Sequence, residues 1–216
     1  LFLLILLGSI QNISFNKLEF DTIKKINVSG LSESGNKKVL KEIEKLNLGN
    51  IFFLNGNEIN KIIESNNLVE GYNVFKKYPS TIDIKLKKTN FLAKINLNDQ
   101  LFFIGSNGKL IDHFFLGKDL PYIFGRPDID EFLKFKKIID RSKLSYENIK
   151  SIFYFQSRRW DIKLKNDVLI KLPKNNIKKS LDDAYFFLDE KNFNSIKIID
   201  TRIENQIITN EWRFRN

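Results

Sequence analysis

The sequence predicts an α+β protein with two successive modules. Apolar and charged residues alternate strictly in the first half, which indicates a β-hairpin, and a strand and two short helical patterns precede it. Short strands separated by turn residues, together with two further helical patterns, fill the second half. We therefore expect the order β-α-α-β-β, followed directly by a β-rich module with two helices.

The hairpin organises the first module. Beyond Tyr78 and Pro79, the apolar residues Ile82, Ile84 and Leu86 alternate with charged ones, so one face of this strand is expected to be buried against the helices. Pro79 presets φ for a turn and has no N–H for a ladder, which places the chain reversal there. A register slip of one residue would expose all three apolar side chains.

One strand and two helices are expected before the hairpin. Residues 23–29 predict the strand, and the first helix is expected to begin near Ser34 and to stop at Gly49. Asn55 and Glu58 have capping-box spacing, which predicts the start of the second helix. The apolar residues at helical spacing are Val39, Leu40, Ile43, Leu46, Ile59, Ile62 and Ile63.

The second module begins at Phe91 without a linker. The predicted strands cover residues 91–97, 101–104, 110–114, 149–156, 160–164, 168–172, 195–199 and 206–209. Asn107-Gly108 and Asn166-Asp167 predict tight two-residue turns, because these residue types tolerate positive φ.

Two helices are expected in this module. A loop that contains Gly125 follows Pro121, and Asp128 and Glu131 then form a second capping-box pattern. The later helix should have about four turns, with its apolar positions at Ile177, Leu181, Ala184, Tyr185 and Leu188.

The chain opens with the apolar run LFLLILLGSI, about half of the roughly 20 residues that a transmembrane helix needs. A signal-peptide core and an ordinary buried helix are the alternatives. No basic segment precedes the run, however, and no A-x-A cleavage site follows it. Because the sequence has no Met, residue 1 is not expected to be the natural start. We therefore expect residues 1–10 to be the outer half of a membrane helix.

The formal net charge of +10 would suit nucleic acid or an anionic membrane as a partner. Lys is dispersed along the chain rather than concentrated in one segment, and Asn, Ile and Phe are also heavily used throughout. A general bias in composition explains the charge more simply, so we expect no nucleic-acid partner.

The sequence predicts neither catalysis nor a cofactor. It has no Cys and a single His, His113, so a metal site is not expected. It also lacks G-x-G-x-x-G, Walker and G-x-S-x-G motifs. The cluster SRRW at residues 157–160 could contact an anionic ligand. The favoured alternative is a strand start in which Trp160 enters the core under the stems of the arginines.

Six stretches follow one another along the chain: INVSG (26–30), LGNIFFL (48–54), VFKKYPSTI (74–82), SRRW (157–160), LP (172–173) and IDTR (199–202). Each is weak alone, but together and in this order they resemble the FtsQ/DivIB family of bacterial cell-division proteins. The first three resemble marks of that family's POTRA module, and the last three resemble marks of its β-domain. Thr201 and Ile203 depart from the apolar and aromatic residues found in family members.

The resemblance implies a single-pass protein of the bacterial inner membrane whose bulk lies in the periplasm. The expected organisation is an outer part of a transmembrane helix (1–10), a stalk (11–22), a POTRA domain (23–90), a β-domain (91–212) and a tail (213–216). It also implies a non-catalytic divisome scaffold that binds the FtsB–FtsL pair. A POTRA-containing component of outer-membrane assembly or secretion is the alternative.

The last predicted strand is the expected site of partner binding. Nothing downstream in the sequence can cover its outer edge, so a partner strand could pair there by β-augmentation. Another interpretation is that Ile207 and Ile208 close the core and Trp212 belongs to a disordered tail. The candidate partner-binding residues are Arg202, Ile203, Gln206, Ile207, Ile208, Thr209 and Trp212.

Overall fold

The computed structural model describes residues 22–112, 119–190 and 196–211. The chain divides into two compact units between Lys88 and Thr89. The predicted membrane helix, His113 and Trp212 lie outside the described residues. Among the helices that are described, none combines the length and the apolar character needed to cross a bilayer.

The first unit has the predicted order β-α-α-β-β, and the hairpin prediction is confirmed. Its elements are β1 (Lys25–Ser29), α1 (Glu33–Glu44), α2 (Asn57–Ser65), β2 (Val69–Lys77) and β3 (Thr81–Lys88).

Strand β3 lies in the middle of this three-stranded sheet, parallel to β1 and antiparallel to β2. Ile82, Ile84 and Leu86 are buried, as their alternation predicted. They pack in one cluster with residues of both helices, among them Val39 of α1 and Ile59 of α2. The first unit therefore has its own hydrophobic core beneath one face of the sheet.

The predicted ends of the two helices need correction. Helix α1 ends at Glu44, before Gly49, because Leu46 and Ile51 leave the helix to pack against the core. The predicted capping box at Asn55 is wrong, since α2 begins at Asn57 after Gly56. The Asn55 side chain instead accepts a hydrogen bond of 3.1 Å from the Asn57 N–H, which shapes the preceding turn.

The second unit contains, in its described part, one sheet of nine strands. These are β4 (Phe91–Leu97), β5 (Gln100–Gly105), β6 (Leu110–Ile111), β7 (Tyr122–Phe124), β8 (Ile149–Tyr154), β9 (Trp160–Leu164), β10 (Leu169–Lys171), β11 (Ile196–Asp200) and β12 (Ile208–Glu211). Their spatial order is β12-β11-β10-β9-β8-β7-β4-β5-β6, which places β12 at one edge.

Helices α3 (Ile129–Asp140) and α4 (Ile177–Glu190) share one hydrophobic core with this sheet. Phe135 of α3 stacks on Trp160 of β9, with ring centroids 4.4 Å apart and an interplanar angle of 6°. Leu181 of α4 belongs to the same cluster. The α+β fold class is therefore confirmed.

Three expectations for the second unit are wrong. The segment expected to be a loop after Pro121 contains β7, which pairs in parallel with β4 and β8. Asp128 precedes α3 but makes no side-chain capping bond. Glu131 instead accepts a 2.6 Å hydrogen bond from the Tyr154 hydroxyl. The last strand begins two residues later than expected, since the Gln206 N–H still donates to the carbonyl of Ile203 in a turn.

Candidate functional site

The outer edge of β12 is the candidate site. This strand pairs antiparallel with β11, in a register that sets Ile208 opposite Asp200 and Thr209 opposite Ile199. Within the described chain no strand lies on its other side. Because alternate residues of an edge strand direct their N–H and C=O groups away from the sheet, β12 presents a backbone that another strand can pair with.

Ile207, directly before β12, and Ile208, its first residue, have different environments. Ile207 is partly buried and packs against the hydrophobic core. Ile208, in contrast, is 49% exposed. The interpretation that both residues close the core therefore holds for Ile207 alone, and Ile208 adds an apolar side chain to the open edge.

The loop before β12 is held in a defined conformation. The N–H and the Oγ1 of Thr201 both donate to the Lys171 carbonyl, at 3.0 and 2.9 Å. The Nζ of Lys179 on α4 donates to Asn205 Oδ1 at 2.7 Å. Between these two attachments Ile203 is 52% exposed, so this loop presents a second apolar side chain close in sequence to β12.

Arg202 pairs with Asp200 inside the chain. Its Nε donates to Asp200 Oδ1 at 2.8 Å, and its Nη2 donates to Oδ2 at 2.5 Å. This side-chain bonding holds the pKa of Asp200 below its usual value and raises the pKa of Arg202. The guanidinium side chain is still 43% exposed, so its orientation is fixed while part of it faces solvent.

A groove of about 740 Å³ lies between α4 and the loop before β12. Exposed Phe186 and the cationic Lys179 line it on the helix side, and Arg202, Ile203 and Gln206 line it on the loop side. Sequence reasoning did not predict this groove. Phe186 falls outside the apolar stripe expected for α4, and this position is the feature of the sequence that could have indicated the groove.

The structure places the SRRW cluster elsewhere, at the turn between β8 and β9. Trp160 is buried in the core at the start of β9, which confirms this part of the favoured interpretation. The Arg159 guanidinium lies 4.4 Å from the centre of the Phe155 ring and pairs with Asp161 at 3.3 Å. Residues of the described ranges form no group of three or more His, Cys, Asp or Glu side chains that could bind a metal ion.

Two family models match the chain in succession. The model described as POTRA domain, FtsQ-type, matches residues 22–88. The model described as Cell division protein FtsQ/DivIB, C-terminal, matches residues 93–202. Together they cover most of the sequence and both structural units. The matched range ends at Arg202, so the other candidate partner-binding residues lie beyond it.

Curated relatives agree with these matches. The cell division protein FtsQ of Rickettsia bellii is 27% identical over 168 residues, which cover 74% of this chain and 60% of the relative. The FtsQ of Rhizobium meliloti is 24% identical over 194 residues, covering 85% of this chain and 61% of the relative. The chain thus spans about three fifths of the length of these relatives. DivIB of Clostridium acetobutylicum is 34% identical over 97 residues, covering 44% of this chain and 39% of the relative.

One solved structure is the major extracytoplasmic domain of the trans isomer of DivIB from Geobacillus stearothermophilus. It is 14% identical and matches with a TM-score of 0.36, over 47% of this chain and 92% of that chain. The family models, which match in the order of the two units, confirm the resemblance seen in the six stretches of sequence. The chain belongs to the FtsQ/DivIB family of bacterial cell division proteins.

Proposed function

We propose that this chain is a non-catalytic scaffold of the cell-division machinery that binds the FtsB–FtsL pair through the outer edge of β12. The observation that carries the proposal is the open edge of β12 beside the exposed side chains of Ile203 and Ile208. The family resemblance supplies the identity of the partners. The match of the second unit to the FtsQ/DivIB C-terminal model favours this function over outer-membrane assembly or secretion.

The binding mode would be β-augmentation. A partner strand that pairs with β12 would receive backbone hydrogen bonds, while its side chains meet those of the edge strand and supply specificity. An open edge with an exposed isoleucine is also an aggregation hazard, which a partner strand would remove. Ile208 lies on this strand, and Thr209 and Gln206 complete the surface around it.

The loop and groove would extend the interface beyond the strand. Ile203 and Phe186 are exposed beside a concave surface, where an apolar side chain of the partner could be buried. Arg202 is oriented by Asp200, so an acidic group of the partner could approach a guanidinium that is already fixed in place. Trp212, which follows β12 directly in the sequence, is proposed as a further apolar anchor.

We also propose that residues 1–10 belong to a membrane helix and that both units lie in the periplasm. The apolar run at the start of the sequence supports the anchor, and membership of the family supports the location. The division between Lys88 and Thr89 supports the proposed POTRA domain at 23–90 and β-domain at 91–212. Fractionation of cells that express the full-length gene product tests the anchor, and recovery in the soluble fraction would refute it.

Capture of the purified FtsB–FtsL pair tests the partner site. We expect Ile203→Lys and Trp212→Ala each to weaken capture by at least about tenfold, as loss of a central interface anchor does. Leu101→Lys is the matched control, because Leu101 is also exposed and lies on β5, near the opposite edge of the same sheet. Circular dichroism and thermal melting should be unchanged in all three variants.

The outcomes separate the proposed site from other surfaces. Weaker capture by the Ile203 and Trp212 variants, with normal capture by the Leu101 variant, supports the β12 edge. Wild-type capture by both edge variants would place the partner site elsewhere.

A further inference from the structure

One end of the first unit collects residues that suit a membrane surface. Because β1 and β3 run parallel and β2 runs antiparallel to them, the start of β1, the loop between the two helices and the β2–β3 turn all lie at one end of this unit. The Ile23 N–H donates to the Gly49 carbonyl at 2.9 Å, and the Lys24 N–H donates to the Ser80 carbonyl at 2.9 Å. We call this end the tip, defined as residues 22–25, 45–57 and 76–81.

Three aromatic side chains are exposed at the tip. Phe53 is 79% exposed, the highest value among the exposed large hydrophobic residues of the described chain, and Tyr78 is 60% exposed. The rings of Phe52 and Tyr78 contact each other, with centroids 4.8 Å apart. Phe52 and Tyr78 therefore form one cluster that reaches from the helix–helix loop to the hairpin turn, and Phe53 adjoins it in the loop.

The tip is also positively charged. Its segments contain five lysines and neither Asp nor Glu, the lysines being Lys24, Lys25, Lys45, Lys76 and Lys77. Two of these lysines pair with acidic residues just beyond the tip segments, Lys45 with Glu42 and Lys77 with Asp83, so these two contribute less to the positive charge. Exposed aromatic rings surrounded by lysines are typical of protein surfaces that enter the headgroup region of anionic bilayers.

The direction of the chain points to the same partner. Residue 22 is at the tip, whereas residue 88 is at the opposite end of this unit, since β3 runs away from the tip. Eleven residues, 11–21, separate the tip from the proposed anchor at residues 1–10. At no more than about 3.5 Å per residue, this segment keeps the tip within about 40 Å of the anchor. The chain thus enters the first unit at the tip, and the tip is the end of this unit that is joined to the proposed anchor.

We infer that the tip binds the surface of an anionic phospholipid membrane, with Phe52, Phe53 and Tyr78 in the headgroup region and the lysines close to lipid phosphates. This inference rests on the membrane anchor proposed above, but it does not depend on the FtsB–FtsL interface. Its consequence is that the first unit is held against the bilayer by two attachments, the anchor and the tip. A single anchor followed by a stalk would leave the unit free to swing.

A site-specific fluorescent label tests the inference on the full chain. Since the chain contains no Cys, Asn47→Cys introduces one labelling position on the exposed helix–helix loop without removing an aromatic residue. Ser65→Cys provides the matched control, because Ser65 is exposed at the end of α2 farthest from the tip. Each protein carries an environment-sensitive nitrobenzoxadiazole label and is added to vesicles of phosphatidylglycerol and phosphatidylethanolamine, with and without nitroxide-labelled lipid.

We expect the Asn47 label to shift to the blue and to be quenched by the nitroxide lipid, while the Ser65 label stays in water. Replacing both Phe52 and Phe53 with serine should reduce the quenching several-fold, whereas Phe124→Ser, an exposed phenylalanine of the second unit, should not. Vesicles of phosphatidylcholine, or raised salt, should also weaken the response, since the lysines act through charge.

The outcomes distinguish the tip from the anchor. If the chain sediments with vesicles but the Asn47 label stays in water, the inference fails and the anchor stands. If the chain does not bind vesicles at all, the inference fails, and the anchor is judged separately by fractionation of the full-length gene product. An equal response with phosphatidylcholine would overturn the part assigned to the lysines. If the wild-type chain fails to capture the FtsB–FtsL pair but its Asn47 label responds as expected, only the proposed partner site is overturned.

Discussion

Replacing Ile84 with aspartate should unfold the first unit and leave the second one folded. Ile84 lies at the centre of β3, in register with Val28 of β1 and Val74 of β2, and its side chain is 1% exposed. A polar side chain at this position would be buried in the hydrophobic core between the sheet and both helices. The neighbouring Lys85 points to the opposite, exposed face of the same strand. Lys85→Asp is therefore the matched control.

The magnitude follows from the burial of Ile84. Removing a buried Ile side chain costs about 2–5 kcal/mol through lost transfer free energy and the cavity left behind. The new carboxylate adds several kcal/mol, because a buried charge without a partner must be desolvated or protonated. The sum exceeds about 5 kcal/mol, the lower end of the stability of a whole domain. Lys85→Asp, on the solvent side, should cost less than about 1 kcal/mol.

Hydrogen exchange followed by mass spectrometry gives a readout for each unit separately. In Ile84→Asp, the amides of β1 and β3 should lose their protection, while those of β8 and β9 keep it. The fluorescence of Trp160 should not change, because this residue belongs to the core of the second unit. Unchanged protection of residues 81–88 would refute the burial argument for this strand.

Two further predictions concern the stability of each unit. Gly30 has φ +112°, and a Cβ there would lie 1.7 Å from the Leu86 carbonyl oxygen, so Gly30→Ala should strongly lower the melting temperature of the first unit. Gly49→Ala is the control, because a Cβ at Gly49 meets open space and the substitution should cost only about 1–2 kcal/mol for its positive φ. Equal melting temperatures of the two variants would contradict this prediction. Because pairing with Arg202 holds the folded-state pKa of Asp200 below its ordinary 3.8, the ionised carboxylate stabilises the fold above that pH, and this contribution is lost as the pH falls through the folded pKa. In urea unfolding, the stability difference between wild type and Asp200→Asn should therefore be constant near neutral pH and shrink in acid, and a difference that persists in acid would refute the assignment.

The sequence predicted the parts of the fold that local periodicity determines. Ile82, Ile84 and Leu86 alternate with charged residues, a pattern typical of a strand with one buried face. This pattern predicted β3 with the correct residues facing the core. Strand β7 was missed because Tyr122–Phe124 covers only three residues. A strand of that length shows no period, and it forms here because β4 and β8 lie on either side of it.

Side-chain partners across the fold explain the remaining errors. Glu131 has the spacing of a capping box, but the Tyr154 hydroxyl, 23 residues away in sequence, binds it instead. Asp200 and Arg202 are close in sequence, yet the pattern alone did not show that they pair with each other and fix the guanidinium of the candidate site. The sequence thus predicted the last strand to within two residues of its observed start, whereas the contacts around it are evident only in the folded structure.

Hydrogen exchange of the FtsB–FtsL complex tests the role of the β12 edge most directly. We expect the amides of Ile208–Glu211 to gain protection when the partner pair binds, because a partner strand would take up the outward-facing N–H groups of β12. The amides of Leu110–Ile111, at the opposite edge of the same sheet, should exchange at an unchanged rate. A complex that forms while the exchange of Ile208–Glu211 stays as fast as in the free protein would contradict binding by β-augmentation at this edge.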